Sequence, residues 1–302
     1  MNKTRAWIAA LRLRTLPLSL AGILLGTGIA AAEGAFDAKI FVLAVLTAAS
    51  YQILSNLAND YGDGIKGTDR RRSGPDRALA SGWITAREMK NALVLTAVLS
   101  FLLTVWLLKT AFPRKGIAFY VFLLLGAGAI GAAITYTVGK SAYGYKGWGD
   151  LFVLIFFGWV SVAGVYYLYT RSRDPAVLAA GTSIGLLAVA VLNINNMRDL
   201  ENDRKAGKIT LAVKMGKYNA FKYQRALIIL SFLFLVWFTL SRQYTPLQWL
   251  AFVFYVPLFR HVHTLRNDNP ETYNRALKSV SLLTFMLAAA YALILFSATR
   301  GN

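Results

Sequence analysis

The chain has no cysteine among its 302 residues. Disulfides, thiolate nucleophiles, cysteine-type zinc sites and iron–sulfur clusters are therefore excluded. Histidine is nearly absent. His261 and His263 stand at i, i+2, a spacing that does not bring two side chains onto one helix face. A histidine metal site or a histidine-dependent triad has no basis, and both residues are read as interfacial. Charge is scarce as well, at 16% against about 25% in a soluble domain. Acid is the scarcer sign, with 14 Asp+Glu against 33 Lys+Arg and a net charge of +19.

What fills the space is apolar: 56% of residues belong to the AVILMFWYC set. The charges leave nine long runs free: 15–32, 40–59, 91–108, 116–139, 151–170, 175–197, 226–241, 243–259 and 279–299. A helix crossing the hydrocarbon core needs about 20 largely apolar residues. Lipid leaves no backbone polar group unsatisfied, so each run is expected to be a helix. The first run exceeds the usual ~7–15-residue core of a signal peptide and is read as an uncleaved span. The expected fold is an all-α integral membrane protein. It has nine transmembrane helices in a single polytopic domain, residues 1–302.

With the N-terminus inside and connections alternating, the inner segments hold 25 Lys+Arg and the outer ones eight. That asymmetry follows the positive-inside rule. The +19 then reads as topology and as attraction to anionic headgroups, not as a nucleic-acid surface. Seven of the 14 acids fall in two stretches on the inner side: Asp60, Asp63, Asp69 and Asp76, then Asp199, Glu201 and Asp203.

The two stretches match each other at an offset of 140 residues. Asn56 falls on Asn196, Asn59 on Asp199, Asp63 on Asp203 and Gly67 on Gly207. Steps of three and four put such residues on one helix face. Each helix end thus presents a stripe of Asn and Asp oxygens, after which a glycine lets the chain turn away. Oxygen-only ligands suit Mg²⁺, which takes one or two carboxylates and completes its shell with water and phosphates. Bases follow each stripe: Lys66, Arg70, Arg71, Arg72 and Arg77, then Arg204, Lys205 and Lys208. Acids for Mg²⁺ beside bases for phosphate make a diphosphate site.

At these residues the chain resembles the UbiA superfamily of intramembrane aromatic prenyltransferases. Asn59-Asp60-Tyr61-Gly62-Asp63 is similar to that family's first Asp-rich motif, although Asp69 stands two residues later than the pattern's third acid. Asp199 to Asp203 is similar to the second motif. Arg77-Ala78-Leu79-Ala80-Ser81-Gly82 resembles the family's R-P-x-x-S-G, with alanine for proline. Three segments look like the branch that acts on a dihydroxynaphthoate in menaquinone synthesis. They are 55–63, 136–145 and 192–196.

The resemblance implies nine helices around a central cavity opening to the cytoplasmic side of the inner membrane. It implies transfer of a polyprenyl group from its diphosphate to 1,4-dihydroxy-2-naphthoate, with loss of diphosphate and CO₂. Mg²⁺ on Asn59, Asp63, Asp199 and Asp203 would stabilise the leaving group. Asp60 and Asp69 are ligands or neighbours of ligands. Arg77, Lys140, Arg204 and Lys208 hydrogen-bond the diphosphate, and Asn56 and Ser81 belong to the same half of the site. Tyr136, Tyr143 and Tyr145 offer ring faces to an allylic cation, or form an interfacial belt with Trp148. Lys140 and Lys146, with Asn193, Asn195 and Asn196, face the acceptor's carboxylate.

Two alternatives stay open: another aromatic acceptor such as 4-hydroxybenzoate, and a membrane transporter. Prenyl length and oligomeric state are not legible here. Gly126-Ala127-Gly128-Ala129-Ile130-Gly131 spells a dinucleotide fingerprint inside an apolar run and is read as close helix packing, as are Gly22 and Gly26.

Overall fold

A computed structural model describes residues 2–68, 76–139, 142–265 and 269–298. The described residues form helices and no strands. In chain order the helices are α1 (Lys3–Leu11), α2 (Leu16–Ala32), α3 (Ala38–Lys66), α4 (Ala86–Ala111) and α5 (Ile117–Thr135). There follow α6 (Gly149–Thr170), whose middle is π-helical, α7 (Pro175–Arg198), α8 (Leu200–Lys205) and α9 (Leu211–Ser241). A 3₁₀ segment, Pro246–Phe254, leads into α10 (Tyr255–Thr264), and α11 is Pro270–Ala298.

The helix starts follow from local sequence. Asp37 caps α3 through the amides of Lys39 and Ile40, at 2.7 and 3.1 Å. Thr85 and Glu88 close a reciprocal capping box on α4. Asp174 caps α7 ahead of Pro175, which sits where its missing N–H costs nothing.

Among the described residues, eight helices are long and apolar enough to cross a membrane, with α1 and α2 counted as one. The run expected at 243–259 departs from this. It is helical, but as the 3₁₀ segment followed by α10, and it is not among those eight. Two prolines, Pro246 and Pro257, and the polar side chains of Gln248, Arg260, His261 and His263 account for the difference. Pro257 has no N–H to give to the preceding turn, and it stands in the first turn of α10, just where the 3₁₀ segment gives way to the α-helix.

The core is centred on α7, the most buried of the spans. It packs against α6, α9 and α11, while α2 lies along α11 and α3 along α4. Close approach fixes one crossing: a Cβ on Gly26 would stand 2.5 Å from the carbonyl oxygen of Val162. Gly126 lies inside α5, with no strand before it, and faces Thr104 and Tyr51.

Polar side chains join the helices internally. Ser183, Ser231 and Tyr255 bond to one another at 2.7–3.1 Å. Asn193 donates to Gln224 at 2.9 Å, and Gln224 lies 3.4 Å from His261. His261 is therefore buried between helices, whereas His263 is exposed. Each such bond contributes roughly 0.6–2 kcal/mol between helices in lipid.

Candidate active site

The end of α3 carries the first acidic stripe, and Gly67 turns the chain away with a left-handed φ of +75°. Gly207 does the same after the second stripe, at φ +70°. Both turns are those the sequence repeat leads one to expect. The second stripe is less regular than the first. Its helix stops at Arg198 and resumes at Leu200, with Asp199 at the break.

Asp63 and Asp203 are brought together. Both are buried, and both face the Lys208 ammonium at 3.8 Å, Asp63 through Oδ2 and Asp203 through Oδ1. The Tyr145 hydroxyl donates to Asp63 Oδ1 at 2.8 Å. Its oxygen is 2.7 Å from the Thr68 hydroxyl, which must then be the donor of that bond. The Tyr145 ring lies under Lys66 at 4.0 Å and near Lys208 at 5.4 Å. Tyr145 therefore gathers both motifs around one phenol.

Bonds that end on main-chain carbonyls fix the spacing of the segments around the two motifs. The Ile209 amide donates to the Tyr145 carbonyl at 3.0 Å. Asn202 Nδ2 donates to the Thr68 carbonyl at 2.9 Å. Thr137 donates to the Ala58 carbonyl at 2.9 Å, and a Cβ on Gly62 would meet Thr137 at 2.5 Å. Only glycine permits that contact between α3 and the connection after α5.

Other expected residues are placed differently. Asp60 Oδ2 and Oδ1 accept the amides of Ala78 and Leu79, at 3.1 and 3.3 Å. It pins the turn that follows the buried Arg77, while Ser81 is exposed. Both Asp199 oxygens receive Arg198, Nε at 2.8 Å and a terminal nitrogen at 2.7 Å. Arg198 also donates to Asn195 and Asn274. Asn56 donates to the Leu11 carbonyl and the Thr15 hydroxyl, tying α3 to the N-terminal segment.

Asn193 donates to the Ala220 carbonyl and to Gln224, away from the acids. Asn196 is buried. Asn59 receives one long contact, 3.4 Å, from Thr137. Arg204 is exposed and paired with Glu201. Asp69 and Lys140, with Arg70, Arg71 and Arg72, lie outside the described residues.

Aromatic rings continue from the acids into α6. Tyr136 meets Tyr143 edge-on at 5.3 Å, Tyr143 stacks on Phe152 at 4.2 Å, and Phe152 on Phe156 at 6.3 Å. Burial raises the Tyr136 phenol far above its usual pKa, and the charges of Asp150, Asp63 and Asp203 add to the shift. Burial likewise raises Tyr143, with Tyr136 contributing. Both shifts favour the neutral phenol. Trp148 is exposed, as a belt residue would be.

Sequence reasoning passed over Asp150, Tyr223, Thr137 and Asn202. Asp150 was visible only as the charge bounding the fifth apolar run.

No group of three or more acidic or histidine side chains gathers to hold a metal among the described residues. The donor chemistry nevertheless fits Mg²⁺. Two carboxylates already converge on one cation, and this ion takes its remaining ligands from water and phosphate oxygens.

The chain matches the UbiA prenyltransferase family over residues 19–289. It is 47% identical to a 1,4-dihydroxy-2-naphthoate octaprenyltransferase of Escherichia coli over 259 residues, covering 85% of this chain and 83% of that one. It is 39% identical to the 1,4-dihydroxy-2-naphthoate octaprenyltransferase of Haemophilus influenzae, covering 97% and 96%. Its fold is similar to that of a UbiA homologue from Archaeoglobus fulgidus bound to GPP and Mg²⁺. The TM-score is 0.61 at 18% identity, over 97% of this chain and 99% of that one. At that identity the likeness speaks to the fold. Helices long and apolar enough to cross a membrane eight times, and a family match spanning most of the length, agree with one another: this chain is a multi-pass membrane protein and belongs to the UbiA prenyltransferase family.

Proposed function

We propose that the protein transfers a polyprenyl group from polyprenyl diphosphate to 1,4-dihydroxy-2-naphthoate. Diphosphate and CO₂ are lost and demethylmenaquinone is formed. The observation that carries this reading is the convergence of Asp63 and Asp203, one from each repeated motif, on a single cation beside Tyr145. The two relatives named above support the choice of acceptor.

Asp63 and Asp203 would hold Mg²⁺, with Asn59 beside them and Asp199 and Asp69 as further candidates. When bound, the ion supplies charge to stabilise a departing diphosphate. The protein's own groups do the rest. Lys208, freed from the carboxylates, reaches the diphosphate oxygens, and Arg77, Lys140 and Arg204 are the other donors. Asp60 positions Arg77 through the Ala78 and Leu79 amides. The rings of Tyr136, Tyr143 and Phe152 shelter the allylic cation and exclude water. No side-chain nucleophile is needed, in keeping with a chain that has no cysteine.

The prenyl tail lies among apolar helices, where each buried CH₂ contributes about 0.8 kcal/mol without any specific partner. We place the N-terminus and both motifs on the cytoplasmic face of the inner membrane, and count the 3₁₀ segment with α10 as a ninth spanning element. The whole chain then forms one membrane domain around a cavity open to that face. A transporter reading is weaker, because the acids stand at helix ends and not near the bilayer midplane.

The test is pyrophosphate release and product mass with Mg²⁺, a prenyl diphosphate and either 1,4-dihydroxy-2-naphthoate or 4-hydroxybenzoate. A prenylated, decarboxylated naphthoquinol is expected from the first. Turnover of the second should be weaker by orders of magnitude, since a site built to pair polar groups rejects a ligand that leaves them unpaired. Equal or better turnover of 4-hydroxybenzoate would reverse the acceptor assignment.

A further inference from the structure

Asp150 is a buried carboxylate, 8% exposed, in the first turn of α6. Its Oδ2 accepts a 3.1 Å hydrogen bond from the Tyr223 hydroxyl of α9. Asp63, Asp199 and Asp203 each face a cation. Asp150 forms no ion pair among the described residues, and a neutral phenol is its side-chain partner.

The start of α6 compensates only part of that charge. Removing a carboxylate from water costs more than a helix end returns. An acid kept inside a membrane protein at that cost points to function.

Its surroundings suggest which function. The residue before it, Gly149, packs directly on Tyr136, where a Cβ would stand 3.1 Å from the ring and 3.3 Å from the hydroxyl. Tyr136 in turn meets Tyr143 edge-on, so Asp150 enters α6 beside the aromatic wall of the site. A carboxylate without a cation would repel a diphosphate, and Asp150 therefore belongs to the other half of the site. Two residues along α6, Phe152 stacks on Tyr143 and supplies the flat face that an aromatic acceptor would meet.

We propose that Asp150, oriented by Tyr223, accepts the hydrogen bond of the acceptor's ring hydroxyl next to the carboxyl-bearing carbon and takes its proton as that carbon attacks. This rests on the prenyl-transfer reading above. The O–H bond breaks and its proton passes to Asp150. Its electron pair moves through the ring into the new C–C bond, while the allylic C–O bond breaks with its pair leaving on diphosphate. The bond to the carboxylate then breaks and releases CO₂. Its electrons restore the aromatic ring as Asp150 returns the proton to the oxygen.

The experiment compares Asp150→Asn, Asp150→Glu and Tyr223→Phe with the parent protein. It uses whichever acceptor the parent turns over, so that failure of the naphthoate assignment is seen first and separately. Asp150→Asn should lower kcat about 10²-fold, within the range for a lost general base. Its affinity for prenyl diphosphate with Mg²⁺, measured by calorimetry, should change less than about threefold. Asp150→Glu should recover at least about tenfold over Asn, and Tyr223→Phe should lose about three- to tenfold in kcat alone.

A 1-methoxy-4-hydroxy-2-naphthoate acceptor, which has no proton to give at that oxygen, should show no further loss in Asp150→Asn. A purely structural role would not produce that pattern. Turnover of Asp150→Asn within about threefold of the parent, or an equal loss of prenyl diphosphate affinity, overturns the proposal. So does Glu performing no better than Asn. Should Asp150→Asn fail to fold, Asp150→Glu and Tyr223→Phe decide by the same split between kcat and affinity.

Discussion

The ammonium of Lys208 stands 3.8 Å from Asp63 Oδ2 and 3.8 Å from Asp203 Oδ1, so one lysine closes the gap between two helix ends 140 residues apart in sequence. At an effective dielectric of about 20, each contact is worth roughly 4 kcal/mol before desolvation. Desolvation of three buried ions offsets most of that gain. The arrangement is thus poised: the carboxylates need a cation between them, and the lysine holds the place only weakly.

Replacing Lys208 with Met should therefore lower the melting temperature in EDTA, as the two carboxylates are left facing each other. Added Mg²⁺ should stabilise this variant more than it stabilises the parent. Thermal unfolding in detergent, with and without Mg²⁺, measures both. An unchanged response to Mg²⁺ would mean that the ion does not replace the lysine.

Asp63→Ala and Asp203→Ala should each cut turnover by 10²–10³-fold, the usual scale for a lost electrostatic contact to a developing anion. The variants should remain folded by size-exclusion chromatography. EDTA should stop the parent enzyme, and Mg²⁺ should restore it.

Asp60→Asn is expected to behave otherwise. Its carboxylate holds two backbone amides, and an amide side chain can accept only through its single oxygen. One lost bond at a buried site costs about 1–3 kcal/mol. The effect should appear as a raised KM for prenyl diphosphate and a lower melting temperature, not as a collapse of kcat. A 10³-fold fall in kcat with KM unchanged would instead put Asp60 on the metal.

Asp174 is the contrasting case. It caps α7 and pairs with Arg242 at the other end of the helices. Asp174→Ala should cost about 1 kcal/mol of stability and leave kcat near that of the parent. Equal kinetic losses at Asp174 and Asp63 would point to general unfolding.

For topology, single cysteines can be placed freely in a chain that has none. One at Lys217 should resist an impermeant reagent in intact cells and react after permeabilisation, whereas one at Arg173 should react in both conditions. Labelling of Lys217 from outside would reverse the orientation.

Much of this was legible in the sequence, for physical reasons. Lipid forces long uncharged runs into helices, so run-counting found the spans. It overcounted regularity at 243–259, where Pro257 and the nearby polar residues break a uniform apolar helix. Periodicity paired Asp63 with Asp203, because both stay on one stripe. The same periodicity put Asp199 with them and could not reveal that Arg198, the adjacent residue, takes both of its oxygens. Asn56 and Asn193 share the motif's chemistry, yet they bond to neighbouring helices. Helix spacing says which face a residue occupies and not which neighbour it meets. Asp150 escaped because a lone acid has no pattern, and its significance depends on Tyr223 and Tyr136 from other elements.

The stitches between the segments around the motifs end on carbonyl oxygens: Ile209 on Tyr145, Asn202 on Thr68, Thr137 on Ala58. Every residue type offers such an oxygen. Substitution at the receiving positions therefore leaves the acceptor in place, and the distance between the two motifs is gauged in peptide units. The donors Asn202 and Thr137 do not share that tolerance. Loosening either one would change the spacing of the motifs without altering any of their acids.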